Sequence, residues 1–128
     1  MHKFVFPMTA ALFILTACTS ADSRNVVVTQ DDKQAAMTIG QMLTVKLPGN
    51  ITTGFSWYLV QMPDLLEQIG EEEYVPMQSQ MVGAGGISIW RFKAFASGTD
   101  TLRFIYKRSW EADVLPARTV DYIVTVFP

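Results

Sequence analysis

The stretch Ile87-Ser88-Ile89-Trp90-Arg91-Phe92-Lys93-Ala94-Phe95, followed after Ala96 by Ser97-Gly98-Thr99-Asp100 and then Thr101-Leu102-Arg103-Phe104-Ile105-Tyr106-Lys107, decides the fold. In its first half Trp90, Phe92 and Ala94 alternate with Ile89, Arg91 and Lys93, and in its second half Leu102, Phe104 and Tyr106 share one side. Successive side chains on an extended backbone point to opposite faces, so this period of two predicts two half-buried strands. Ser97 to Asp100 supplies turn chemistry between them.

Working outward, the same period recurs. Val26 to Thr29 is a short β-branched run, and Met42 to Leu47 puts Leu43, Val45 and Leu47 opposite Thr44 and Lys46. Phe55, Trp57 and Leu59 repeat the pattern, Tyr74 to Met81 reads as a weaker strand, and Val120, Tyr122, Val124 and Val126 close the chain within Thr119 to Phe127. Asp64 to Gly70 reads as a helical turn or a crossover, and Glu71 to Glu73 as a solvated edge. Trp57 and Trp90 alternate in phase with other core aromatics, so core packing is expected of both, and Met77 and Met81 are read as packing rather than as ligands. Some seven short strands in a chain of 128 residues, with no cysteine pair, predict one all-β domain: an immunoglobulin-like sandwich of about seven strands without a disulfide, with a barrel as the alternative.

The first residues follow a different rule. Met1-His2-Lys3 is a short basic start and Phe4 to Leu15 an apolar run, shorter than the ~20 residues that cross a membrane as a helix. Leu15-Thr16-Ala17-Cys18 resembles the lipobox of bacterial lipoproteins, in which the cysteine becomes an acylated N-terminus. The resemblance implies a signal peptide over 1–17, a lipidated tether over 18–24, and a domain over 25–128. Thr19 is not the aspartate associated with inner-membrane retention in some bacteria, which favours an outer-membrane anchor facing the periplasm.

Processing at Cys18 restricts the chemistry. His2 and Cys18 are the only residues of their kinds in the sequence; with the processing that the lipobox resemblance implies, the first would leave with the signal and the second would be capped by lipid. A Ser-His-Asp or Cys-His arrangement then lacks its base, and a zinc site built on His or Cys lacks its ligands. An enzyme would be limited to carboxylates, and Glu111 and Asp113 have no partner placed by spacing. A net charge of −2 offers no basic surface for nucleic acid. No enzyme, metal or cofactor is expected.

Three loops carry a family resemblance. Asn50-Ile51-Thr52-Thr53-Gly54-Phe55-Ser56-Trp57 resembles the Asn-Pro-Thr-Thr-Gly-aromatic-x-Trp signature of the chagasin family, with Ile51 in place of proline. Gly83-Ala84-Gly85-Gly86 is similar to that family's Gly-x-Gly-Gly loop, with Trp90-x-Phe92 following. Arg108-Ser109-Trp110 resembles its Arg-Pro-Trp, with Ser109 replacing the proline. All three stand in family order at strand boundaries. The resemblance implies a reversible, tight-binding, competitive inhibitor of papain-like cysteine proteases, monomeric, whose three loops form one wedge in the active-site cleft. Asn50 to Gly54 would enter over the catalytic cysteine, with Thr52 and Thr53 in closest contact. The glycine loop and Arg108 to Trp110 would grip the two sides.

The residue types suit that task. Glycine permits close backbone approach, and threonine fills a narrow groove. Trp110 and Arg108 are of the kinds that most often dominate interfaces. Trp110 lies beyond the end of its strand, where exposure is expected. Losing two prolines predicts looser loops and affinity weakened by ~0.4–1 kcal/mol each. The rival reading is a surface lipoprotein whose sandwich binds another protein, a peptide or a glycan.

Overall fold

The computed structural model describes residues 25–77 and 85–128. The lipobox with Cys18, the tether, Met81, and Gly83 and Ala84 of the glycine loop therefore lie outside the described residues. Nine strands form: β1 Asn25–Thr29, β2 Gln34–Thr38, β3 Met42–Gly49, β4 Phe55–Gln61, β5 Leu66–Gln68, β6 Glu73–Pro76, β7 Gly86–Ala94, β8 Gly98–Arg108 and β9 Arg118–Phe127. A single 3₁₀ turn, Ile51–Thr53, precedes β4, and no α-helix occurs among the described residues.

The strands make two sheets. One runs β1-β3-β7-β5, with β6 also on β7, and the other β2-β9-β8-β4. Their inner faces supply one core in which Leu43, Val45, Leu47, Phe92, Leu102, Phe104, Tyr122 and Val124 are fully buried. Aromatic rings lock the sheets together: the Trp90 and Phe104 centroids lie 5.3 Å apart, and Phe92 meets Phe104 edge-on at 6.3 Å. Two open sheets around one core make a sandwich and not a barrel. Trp57 and Trp90 are both buried in it.

The seven expected strands are all present, and two more join them. β2 is Gln-Ala-Ala-Met-Thr, poor in β-branched residues, so propensity gives no hint of it. It forms because Ala35 and Met37 are buried while its backbone pairs in parallel with β9, Gln34 opposite Ile123 through Thr38 opposite Phe127. β5 corrects the helical reading of Asp64 to Gly70: the turn is confined to Pro63–Leu66, closed by Leu66 N–H on the Pro63 carbonyl at 3.2 Å, and Leu66–Gln68 then pairs with Phe92–Ala94. Three residues are too few to display a period.

The turn between the quoted strands is also shorter than expected. Gly98 to Asp100 already belong to β8, paired with Val126 to Val124 of β9, and β7 and β8 lie in different sheets. The link over 95–97 crosses from sheet to sheet. The weak strand expected over Tyr74 to Met81 is realised as Glu73–Pro76, and Met77 beyond it is exposed rather than packed. Glu71 to Glu73 is solvated as expected, with Glu73 on Arg91 at 3.0 Å.

Candidate functional site

Register alone gathers the loops at one end. Gly49 closes β3 opposite Gly86, which opens β7, so the 3₁₀ turn and the glycine loop leave the same sheet as neighbours. Phe55 opens β4 opposite Arg108, which ends β8, so the same turn also borders the Arg108–Trp110 loop. The 3₁₀ turn thus sits between the other two and is shared by both sheets.

The turn is built by its own side chains. Asn50, extended at φ −138° and ψ 99°, caps it, its Oδ1 accepting from Thr52 N–H at 3.1 Å and from the Thr52 hydroxyl. Thr53 Oγ1 donates to the Asn50 carbonyl at 2.7 Å, and Gly54 N–H returns to the Ile51 carbonyl at 3.0 Å. Gly54 has φ +83°, a left-handed conformation that side chains with a Cβ disfavour. From below, the Tyr106 hydroxyl accepts from Asn50 N–H at 2.9 Å, and Trp57 Nε1 donates to the Pro48 carbonyl at 3.0 Å. The aromatic stack Phe55–Tyr106–Trp57, with centroids 5.1 and 4.9 Å apart, forms the platform under the loop.

The Arg108 loop is braced on that turn. The guanidinium lies 4.3 Å over the Phe55 ring, its Nε donates to the Thr53 carbonyl at 3.2 Å, and its Nη1 meets Glu111 at 3.2 Å. The Trp110 ring covers Gly54 so closely that a Cβ there would lie 2.2 Å from the ring edge. Trp110 is nonetheless 67% exposed, presenting its outer face to solvent. On the other side, a Cβ at Gly85 would lie 2.7 Å from the Gly49 carbonyl, and one at Gly86 would meet Tyr74 and the Val75 carbonyl at about 2.5 Å. Gly85 is required by the close approach of the Gly49 backbone and Gly86 by the Tyr74 ring and the Val75 carbonyl, without any unusual φ.

The described members of the expected set, Asn50, Ile51, Thr52, Thr53, Gly54, Gly85, Gly86, Arg108, Ser109 and Trp110, therefore lie together. Two of the Arg108 guanidinium nitrogens, Nε and Nη1, are engaged by Thr53 and Glu111, so besides its expected place in the grip it braces one loop on another. Sequence reasoning missed Tyr106, Phe55, Gly49 and Glu111. Tyr106 had a legible signal, since a buried phenol seeks a hydrogen-bond partner. Val114 and Leu115 of the same loop are also exposed, Leu115 at 89%. The Glu111 carboxylate is engaged by Arg108, and among the described residues no group of acidic side chains could hold a metal.

The described loops thus offer a braced, partly apolar contact surface at one end of a sandwich. The family model of the chagasin family of peptidase inhibitors matches residues 36–124, and the chain belongs to that family. It is 29% identical to chagasin of Trypanosoma cruzi over 92 residues, covering 69% of this chain and 84% of that one. The crystal structure of a cysteine protease inhibitor from Entamoeba histolytica superposes with a TM-score of 0.70 at 24% identity, covering 80% of this chain and 96% of the other. PbICP-C, solved in complex with falcipain-2, superposes with a TM-score of 0.55 at 20% identity, over 82% of this chain and 92% of that one. By family the chain is a peptidase inhibitor and not an enzyme.

Proposed function

We propose that this peptidase inhibitor acts reversibly and competitively on papain-like cysteine proteases, with the 3₁₀ turn in the cleft and the two flanking loops on either side. The observation that carries this is the bracing of three family-pattern loops into one surface, Trp110 over Gly54 and Gly85 against Gly49. The relatives point the same way: one is named as a cysteine protease inhibitor, and another was solved with falcipain-2. The rival, a module for some other protein, peptide or glycan, has no feature that favours it over the family's activity.

The shape of the turn also fits an inhibitor that is left uncleaved. An extended peptide that is recognised through its backbone lies flat along the surface that binds it. Asn50 to Gly54 instead curls back through Thr53 N–H on Asn50 O and Gly54 N–H on Ile51 O, so its peptide bonds do not lie along the cleft as a substrate's would. A pre-formed turn also reduces the ordering lost on binding. An interface of ~800 Å² per partner suffices for nanomolar affinity when its anchors are well packed.

The test is titration of the lipid-free chain, Thr19 to Pro128, into papain with a fluorogenic peptide. Stoichiometric, competitive inhibition with the inhibitor left intact supports the reading; no inhibition by folded protein overturns it. The lipoprotein reading belongs to the same proposal: signal 1–17, acylated Cys18, tether 18–24, and a monomeric domain in the outer membrane facing the periplasm. It is supported by the lipobox, and Cys18→Ser should abolish incorporation of labelled palmitate and release the protein from membranes.

A further inference from the structure

The chain enters the domain at the pole opposite the three loops. Asn25 pairs with Met42, the first residue of β3, which in turn faces Lys93 near the end of β7, whereas the loops lie where β3 ends and β7 begins. At this entry pole large apolar side chains stand exposed: Ile39 at 48%, Met62 at 44%, Phe95 at 55% and Phe127 at 52%. Backbone bonds join the segments that carry them, Ile39 N–H to the Phe127 carbonyl at 3.1 Å, Gly40 N–H to Ala94 at 2.9 Å and Phe95 N–H to Leu65 at 3.0 Å. Both sheets thus contribute to one apolar end, beside which stand Asp64, Lys93 with Glu67 opposite it on β5, and Asp100 near the start of β8.

We propose that this pole rests on the lipid surface to which Cys18 is anchored, so that the inhibitory loops face away from the membrane. The inference rests on the acylation of Cys18 proposed above. Chain length favours this orientation. Seven residue steps separate Cys18 from Asn25, a reach of at most about 25 Å even when fully extended. Asn25 lies opposite Met42, at the far end of β3 from the loops, and the seven steps from Met42 to Gly49 span roughly 23 Å before the turn beyond Gly49 is added, so a domain turned over would stretch the tether to its limit, whereas entry at this pole needs almost none of it. A short tether therefore holds this pole nearest the bilayer, and exposed apolar rings suit the headgroup boundary better than open water. The loops then stand more than about 23 Å out, clear for a soluble protease.

The test uses the full, processed lipoprotein in phosphatidylethanolamine–phosphatidylglycerol vesicles. Cys18 is the only cysteine and its sulfur is taken by lipid, so an introduced cysteine can be spin-labelled uniquely. Labels at Phe95→Cys or Ile39→Cys should be relaxed more by membrane-dissolved oxygen than by an aqueous nickel chelate, and a label at Ala112→Cys the reverse. If the acylated protein shows both positions equally open to the chelate, the pole proposal fails and the anchor survives. If mass spectrometry finds Cys18 without acyl chains, the anchor fails and the pole loses its occupant. Dipolar broadening between Phe95→Cys labels would mean that a second copy covers the pole, and would also overturn the proposal.

Discussion

Replacing Gly54 by alanine tests whether the loops act as one surface. The residue sits at φ +83°, and its new Cβ would fall 2.2 Å from Trp110 Cη2. Holding a non-glycine residue left-handed costs about 1–2 kcal/mol, which for a domain of this size lowers Tm by roughly 4–15 °C. The indole is mostly solvent-exposed, so moving it adds little to that loss of stability. Its effect is expected in binding. Truncating a tryptophan anchor costs ~2 kcal/mol or more, about 30-fold in affinity, and displacing the ring while keeping it should forfeit much of this, about tenfold. Inhibition constants against papain would be measured for Gly54→Ala, Trp110→Ala and the double variant, with melting curves to confirm that each is folded at the assay temperature. Once the ring is gone the added methyl group has nothing to displace, so the double variant should match Trp110→Ala within about threefold, a failure of additivity expected of residues in contact. If Gly54→Ala inhibits as well as the parent, or if the two losses multiply in full, Trp110 is not seated by Gly54 for binding and the reasoning is wrong.

Other outcomes follow from the same geometry. Ile51→Pro and Ser109→Pro should each tighten inhibition about two- to fivefold, equivalent to ~0.4–1 kcal/mol of reduced loop entropy. Asn50 is already extended as a pre-proline residue must be, and Ser109 occupies the second position of the turn closed by Glu111 N–H on the Arg108 carbonyl. A tenfold loss in either would show that the loops are misplaced. Tyr106→Phe removes the acceptor for Asn50 N–H and should lower unfolding free energy by about 0.5–1.5 kcal/mol in urea titrations, with weaker inhibition. Gly85→Ala should raise the inhibition constant with little change in Tm, since its Cβ strikes the Gly49 carbonyl and pushes one loop off another; an unchanged constant would mean that the glycine loop does not contribute. Burial, and after it the charges of Asp32 and Asp31, push the Tyr122 phenol well above its ordinary range. The unfolded chain therefore ionises first, and stability should fall as pH rises above about 10; Tyr122→Phe should flatten that decline.

Much of this was legible because strand periodicity is a local property. Leu43, Val45 and Leu47, or Leu102, Phe104 and Tyr106, declare a buried face from spacing alone, and the three loop patterns stand in order along the chain. β2 and β5 escaped notice because their alanines and short length carry no pattern; they are strands only because β9 and β7 offer them unpaired backbone. The turn at Ser97 to Asp100 misled in another way. A turn sequence states that the chain bends and not which sheet receives it.

By itself, then, the sequence determined the all-β class, the core aromatics, the exposed Trp110 and the residue types of the loops, since each depends on neighbours within a few positions. The tertiary structure alone decided what those loops rest on. Arg108 reads as a binding group alone until the fold brings Phe55, Thr53 and Glu111 around it, and Tyr106 reads as core until its hydroxyl is found under Asn50, 56 positions away. Such partners are far apart in sequence and meet only when two sheets close, because the register of β3 on β7 and of β4 on β8 fixes which loop ends touch.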